Sequence, residues 1–151
     1  MTSPAPVCAQ AVLETVPAVM RFLRSEMRGQ RADLSVPQFR SLMFIARNDG
    51  SSLQEVARHL GLTPPSTSKL IDVLERRSLV KRGPSGFDRR RITLGLTAAG
   101  SALRRQALAQ AQRSLAARLE TLAAAELETV TAAMAVLEKT FPAGRRQGPA
   151  D

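Results

Sequence analysis

The 151-residue chain contains no tryptophan, no tyrosine and only five phenylalanines. Proteins that hold single-stranded nucleic acid stack its bases on aromatic side chains, so this scarcity argues against that class. Cysteine and histidine occur once each, as Cys8 and His59. A single thiol cannot form an intramolecular disulfide, and one histidine with one distant cysteine cannot complete a tetrahedral metal site without several carboxylates. We therefore predict no disulfide, no metal and no cofactor.

The sequence patterns of common catalytic sites are also missing. The chain has no glycine-rich phosphate loop, no paired histidines at zinc-binding spacing and no serine in a hydrolase elbow, so we expect that it is not an enzyme. Its first ten residues have no basic stretch leading into an apolar core, and no apolar run approaches the roughly 18 residues of a membrane span. These features predict a cytoplasmic protein.

Positive charge is what the chain has in excess. It contains 22 lysines and arginines against 13 acidic residues, for a formal charge of +9. From Gly61 to Gly95, eight basic residues stand against three acidic ones, so over half of the excess lies in one segment. A concentration of this kind favours an anionic partner, and nucleic acid is the first candidate. Because stacking residues are scarce, double-stranded DNA is favoured over a single strand.

Long helices are predicted on both sides of this basic segment. Apolar residues at spacings of three and four predict a helix from Val12 to Met27, in which Pro17 should cause a kink or a restart. Two further helices are predicted over Leu103–Leu122 and Leu127–Phe141. Their apolar stripes must be covered, either by a bundle within one chain or by an intertwined dimer built from both ends.

Between the long helices, the sequence predicts three short ones. Ser35 and Ser52 are each followed three residues later by Gln or Glu, which is the pattern of a capping box, and Thr63 can cap a third helix. Only residues 61–63 separate the second short helix from the third. Two helices joined so closely must cross steeply, which is the helix-turn-helix arrangement.

A β-hairpin is predicted directly after the third short helix. Its strands are Leu79–Arg82 and Ile92–Leu96, with glycine and proline between them. The predicted fold class is therefore mainly α with a small β-hairpin: a winged helix-turn-helix flanked by long N- and C-terminal helices.

The third short helix would present one polar face. At 100° per residue, its buried stripe comprises Thr67, Leu70, Ile71 and Leu74. The other side exposes Pro65, Ser66, Lys69, Asp72, Val73 and Arg76, with Ser68 at the margin. Short hydroxyl side chains allow close approach to base edges, and Lys69 can reach guanine or phosphate. A solvated helix face would have the same pattern, but the hairpin adds Asp88, Arg89, Arg90 and Arg91, and an arginine there can enter the minor groove.

Over residues 10–141 the chain resembles the MarR (multiple antibiotic resistance regulator) family of bacterial transcription factors. The resemblance rests on six motifs that occur in the family's order. They are Ser35-Val-Pro-Gln-Phe, Leu53-Gln-Glu-Val-Ala-Arg-His-Leu-Gly, Ser66-Thr-Ser-Lys-Leu-Ile, Leu79-Val, Asp88-Arg-Arg and Leu96-Thr-Ala-Ala-Gly. The resemblance implies a homodimeric repressor that binds a pseudo-palindromic duplex operator through a recognition helix and a wing.

The resemblance also implies which residues contact DNA. Positions matching the family's contacts are Pro65, Ser66, Ser68 and Lys69 in the recognition helix, and Arg90 in the wing, oriented by Asp88 with Arg89 beside it. Arg76 would contact phosphate at most. The chain departs from the family pattern at Pro64 and Pro65, because two prolines remove two backbone donors from the helix start.

Five regions are expected along the chain: a flexible tail (1–9), an N-terminal dimerisation helix (10–34), the winged helix-turn-helix (35–97), C-terminal dimerisation helices (98–141) and a second flexible tail (142–151). The resemblance further implies release from DNA by a small aromatic or phenolic effector bound between the dimer helices and the winged module. Residues that could line such a pocket are Phe22, Met27, Phe39, Met43 and Phe44, although residues of these types at helical spacing are usually core.

Two alternatives remain open. One branch of the family senses organic hydroperoxides with an N-terminal cysteine, which would be Cys8 here. The tyrosines that hold the reactive sulfur in that branch are missing, and no basic residue precedes Arg21 to stabilise a thiolate. The other alternative is a winged-helix module that binds an acidic protein, but such a module has no particular need for a long, basic wing tip.

Overall fold

The computed structural model describes residues 4–28, 34–84 and 91–142. Its elements are α1 (Ala5–Arg28), α2 (Val36–Arg47), α3 (Leu53–Leu60), α4 (Pro64–Arg76), β1 (Val80–Pro84), β2 (Ile92–Leu96), α5 (Ala98–Leu119) and α6 (Ala124–Thr140). The predicted fold class, mainly α with a small β-hairpin, is confirmed, because helices dominate the described residues and β1 pairs with β2 as an antiparallel hairpin. The segment 143–151, most of the predicted C-terminal tail, lies outside these ranges.

Local hydrogen bonds fix the ends of the short helices. The Ser35 hydroxyl accepts from the Gln38 N–H while the Gln38 side chain accepts from the Ser35 N–H at 2.8 Å. Ser52 and Glu55 form the same reciprocal pair ahead of α3. Gly61 ends α3 in the left-handed conformation, with φ 68°, a region that glycine enters without steric cost. Both predicted capping boxes and the glycine stop are confirmed.

Helix α1 begins earlier than expected and continues through Pro17. It begins at Ala5, so residues 5–9 of the predicted tail are helical, and Cys8 donates its N–H to the Pro4 carbonyl oxygen. Pro6 does not prevent this, since a proline in the first turn removes an N–H that has no intrahelical partner anyway. Pro17 lies inside the helix without ending it. Leu13 and Pro17 are both exposed, so water can hydrate the carbonyl oxygen that loses its partner.

One core joins the helix-turn-helix to the hairpin. Its fully buried members include Leu42, Ile45, Val56, Ile71, Leu74 and Leu94. Leu94 faces Arg82 across the hairpin and bridges back to Ser51, which links β2 to the start of α3. Strand β1 begins one residue later than predicted, because the Leu79 N–H donates to the Leu74 carbonyl oxygen and closes the end of α4. The core therefore fixes α4 relative to both strands.

The long helices leave apolar side chains uncovered. Exposed apolar residues are Val7, Leu13, Val16 and Val19 on α1, Leu108 on α5, and Leu127, Val130, Met134 and Val136 on α6, with Phe141 just beyond it. In the part of the chain that the structure describes, Ala5–Met27 is long and apolar enough to cross a membrane by length and composition alone. The prediction from sequence considered only unbroken apolar runs. It did not identify residues 5–27 because Glu14 and Arg21 interrupt the apolar residues there.

Candidate nucleic-acid interface

Helix α4 has the two faces that its sequence predicts. Thr67, Ile71 and Leu74 are completely buried, while Leu70 is half-buried at the margin of the core. On the outer side, Pro65, Ser66, Lys69 and Arg76 are exposed, and Ser68, Asp72 and Val73 are half-buried. The structure thus brings the predicted recognition-helix residues together on one accessible face.

The first turn of α4 offers side chains rather than backbone donors. Pro64 and Pro65 have no N–H, and the Ser66 N–H donates to the Thr63 hydroxyl. That hydroxyl in turn donates to the Ser66 hydroxyl oxygen at 3.0 Å. With Thr63 as donor, Ser66 keeps its own proton for an outside acceptor such as a base edge or a phosphate oxygen. A phosphate at this helix start would therefore have to be bound by Ser66 or Lys69 side chains.

Two carboxylates lie further along the same helix. Asp72 and Glu75 are both bound by Arg82 of β1: its Nη2 lies 2.5 Å from Asp72 Oδ1 and its Nε lies 3.3 Å from Glu75 Oε2. The helical projection placed Asp72 on the outer face but did not identify this partner. Strand alternation does indicate the direction of Arg82. It is two residues from Val80, which is buried, and alternate residues of a strand share a face.

The predicted wing contacts lie only partly within the described residues. Asp88, Arg89 and Arg90 lie outside them. Next to this segment, Arg91 and Ile92 are exposed at the start of β2. Lys81 and Arg82 are exposed on β1 but pair with Gly95 and Leu94, at the other end of the hairpin. Among the described residues, Arg91 is therefore the basic residue beside the predicted wing tip.

A second basic group lies where α2 meets α3. The His59 ring stacks on buried Phe44 with ring centroids 4.5 Å apart, and Arg40 donates to the His59 carbonyl oxygen at 3.1 Å. Burial lowers the pKa of His59 below its ordinary value of 6.5, and the positive charges of Arg40 and Arg47 lower it further. His59 therefore favours its neutral form, and sequence reasoning, which considered it only as a metal ligand, missed this stack.

The five residues proposed to line an effector pocket are not equivalent. Phe44 belongs to the buried core, Met27 and Phe39 pack against that core, and Phe22 is half-buried on α1. Met43 lies at the contact between α2 and α5, where its sulfur is 3.7 Å from Nη1 of Arg104. The Nε of Arg104 is buried there and has no hydrogen-bond partner among the described residues, so a polar group lies beside the predicted apolar lining.

The remaining candidates are isolated. Cys8 lies exposed in the first turn of α1 rather than in the loose tail that we expected. Within residues 4–28, 34–84 and 91–142, no three histidine, cysteine or acidic side chains lie close enough together to hold a metal ion.

Comparisons with known proteins find a similar family and a similar regulator. Residues 32–91 match the family model described as MarR family. An uncharacterized HTH-type transcriptional regulator of Bacillus subtilis, YfiV, is 26% identical over 117 residues, which cover 78% of this chain and 73% of the relative.

Solved structures show the same fold. RV1404 from Mycobacterium tuberculosis superimposes with a TM-score of 0.81 at 22% identity, covering 97% of this chain and all of that one. The Mycobacterium tuberculosis MarR family protein RV2887, solved in complex with p-aminosalicylic acid, superimposes with a TM-score of 0.70 at 23% identity, over 85% of this chain and 96% of that one.

Proposed function

We propose that the chain is a member of the MarR family of DNA-binding transcriptional regulators, which are not enzymes, and that it is a cytoplasmic homodimeric repressor of a pseudo-palindromic operator. The observation that supports operator recognition most strongly is the outer face of α4. There the helix presents a short hydroxyl side chain, Ser66, and one amine, Lys69, both exposed. The opposite side of the helix is anchored in the core by the completely buried Thr67, Ile71 and Leu74. We infer that Ser66 and Lys69, with Pro65 and Ser68, enter the major groove, while Arg76 contacts phosphate.

The wing supplies the second DNA contact of the proposal. By resemblance, Arg90 enters the minor groove, Asp88 orients its guanidinium and Arg89 lies beside it. Exposed Arg91, directly before the first residue of β2, supports a basic wing. An arginine is suited to this role because the narrow minor groove of A·T-rich DNA concentrates negative potential.

Dimerisation is supported by apolar residues that the single chain leaves uncovered. Val130 and Met134 on α6 are 39% and 53% exposed, and Val16 on α1 is 46% exposed. Large apolar side chains left exposed on several long helices are typical of an interface. In our proposal, α1, α5 and α6 of two chains cover one another, so the apolar side of α1 is buried by protein. Two recognition helices related by the dimer axis would then meet half-sites roughly 34 Å apart.

An anionic aromatic effector fits the contact between α2 and α5. The p-aminosalicylic acid bound by RV2887 contains both an aromatic ring and a carboxylate. In this chain, half-buried Met43 and the unpartnered Arg104 Nε provide an apolar contact and a positive donor at one place. We propose that a small aromatic or phenolic acid bound there lowers operator affinity.

A titration against the DNA flanking the protein's own gene tests this function. The repressor hypothesis predicts that a labelled duplex from this region binds at least about 1000-fold more tightly than a random duplex of equal length at moderate salt. Equal affinities for the two duplexes would refute specific recognition. For the effector, salicylate-type acids should raise the melting temperature of the protein and release the duplex. A raised melting temperature with unchanged DNA affinity would refute the proposed release.

A further inference from the structure

A carboxylate lies in the middle of the surface proposed to face DNA. Asp72 follows Lys69 by three residues and precedes Arg76 by four, so the three side chains form one stripe along α4. Glu75 lies one turn further on, beside Asp72. Their side chains are 42% and 43% exposed. Two negative charges at this position would repel the phosphates that flank the groove.

Arg82 is placed to cancel this charge. Its guanidinium lies between the two carboxylates, with Nη2 at 2.5 Å from Asp72 Oδ1 and Nε at 3.3 Å from Glu75 Oε2. The side chain comes from a different element, β1, and is 32% exposed. Strand alternation puts it on the same side as buried Val80, which anchors this part of β1 in the core.

We propose that Arg82 is a positioning residue for DNA binding: it holds the carboxylates of Asp72 and Glu75 in ion pairs and so keeps the recognition face from repelling the duplex. Arg82 acts through these two residues and makes no phosphate contact of its own. This inference rests on the proposed function, because it requires α4 to face DNA.

The geometry distinguishes this role from two simpler ones. An arginine that contacted phosphate directly would contribute the same affinity whether or not Asp72 and Glu75 were charged. If Arg82 only fixed the hairpin against α4, replacing Asp72 and Glu75 would remove the same ion pairs. DNA affinity would then fall as much as it does when Arg82 is replaced. Charge cancellation predicts neither result. Replacing Arg82 should lower DNA affinity only while the two carboxylates are present, and replacing the carboxylates alone should not lower it.

A double-mutant cycle on operator affinity separates these roles. The four proteins are the wild type, Arg82→Ala, the pair Asp72→Asn with Glu75→Gln, and the triple variant, each titrated by fluorescence anisotropy. We expect Arg82→Ala to weaken binding about tenfold, or about 1.4 kcal/mol, and to cost less than about twofold when the carboxylates are absent. Equal losses in the two backgrounds would overturn the inference. So would a carboxylate pair variant that binds as weakly as Arg82→Ala.

Salt provides an independent readout that a structural role would not change. Because Asp72 and Glu75 are partly exposed, their repulsion of phosphate is screened, and the deficit of Arg82→Ala relative to a control should shrink as salt is raised. The matched control is Arg105→Ala, which removes an exposed arginine from α5, a helix that packs against α1, α2 and β2. A deficit relative to this control that does not change with salt would contradict charge cancellation.

These outcomes are separable from failure of the proposed function. If the wild-type protein binds no flanking duplex above random DNA, the function itself is wrong. If the wild type binds specifically and Arg82→Ala binds equally well, only the role of Arg82 is wrong. Thermal unfolding of each variant confirms that the compared proteins are folded.

Discussion

The start of α5 lies directly against the backbone of Leu79: a Cβ atom on Gly100 would lie 1.9 Å from the Leu79 carbonyl oxygen. The same region is fixed by the Thr97 hydroxyl, which donates to the Ser78 carbonyl oxygen at 2.6 Å. The end of the recognition helix is thereby attached to the first turn of a long helix. Gly100→Ala should separate the two and lower the free energy of unfolding by about 3 kcal/mol, because backbone atoms cannot yield as a side chain can. Chemical denaturation measures this loss.

Gly83→Ala is the matched control for this substitution. A Cβ atom there meets nothing within 4 Å, and no unusual φ angle restricts the position. We expect a change within about 0.5 kcal/mol. An equally small change for Gly100→Ala would show that the contact between Gly100 and Leu79 is looser than described.

Stability should depend on the protonation of His59. Burial and the nearby charges of Arg40 and Arg47 lower its pKa in the fold below the ordinary 6.5. Between the folded-state pKa of His59 and 6.5, the unfolded chain binds more protons than the folded one. The contribution of neutral His59 to the free energy of unfolding is therefore complete above pH 6.5 and is lost as pH falls through the folded-state pKa. The denaturation midpoint of the wild type should therefore fall more between about pH 7.5 and about pH 5.5 than that of His59→Gln. Parallel decreases in the two proteins would contradict the assignment.

Base recognition should depend on Lys69. Replacing it with alanine removes the amine on the outer face of α4 without disturbing the buried face, so the fold should be retained. If Lys69 contacts a base edge, the protein's preference for one base at that operator position should relax. If it contacts phosphate, the slope of log affinity against log salt concentration should fall by about one unit in magnitude. Affinities for single-base operator variants at several salt concentrations measure both. An unchanged profile in both respects would exclude Lys69 from the interface.

The association of two chains should depend on the apolar side of α6. Met134→Glu places a charge among side chains that we propose are buried between copies, so it should convert a dimer into a monomer at micromolar concentration. Sedimentation equilibrium measures the mass. Ala132→Glu is the control, since residue 132 projects nearly opposite to residues 130 and 134 on the helix. Dimers of equal stability in both variants would contradict the proposed interface.

Signals within a few residues of each other were sufficient to predict much of this fold. Ser35 with Gln38 and Ser52 with Glu55 mark helix starts because the cap and its partner are only three residues apart. The buried stripe of α4 followed from the helical repeat, apart from Leu70, which is only half-buried. The start of α1 is harder to predict, because prolines such as Pro4 and Pro6 are typical of a tail, although Pro6 also suits a first turn.

Contacts between distant residues could not be predicted in the same way. The stack of Phe44 on His59 joins residues 15 positions apart in sequence on two helices. The approach of Gly100 to Leu79 depends on how α5 leaves the hairpin. The ion pairs of Arg82 with Asp72 and Glu75 require the crossing of β1 and α4. In each case the sequence pattern places the residue on its own helix or strand. Only the packing of that element against another one brings the residue to its partner.

Site-directed cleavage of DNA tests the placement of α4 most directly. Cys8 is the only cysteine, so a Cys8→Ser protein with Leu62→Cys can be labelled at one site, the exposed turn that leads into α4. With an iron chelate attached there, we predict two clusters of strand cleavage in the operator, centred about one helical turn apart, roughly 10 base pairs. The same chelate on Arg105→Cys should leave the operator intact. Operator binding without cleavage from position 62, or cleavage equal to that from position 105, would contradict the central claim that α4 enters the duplex.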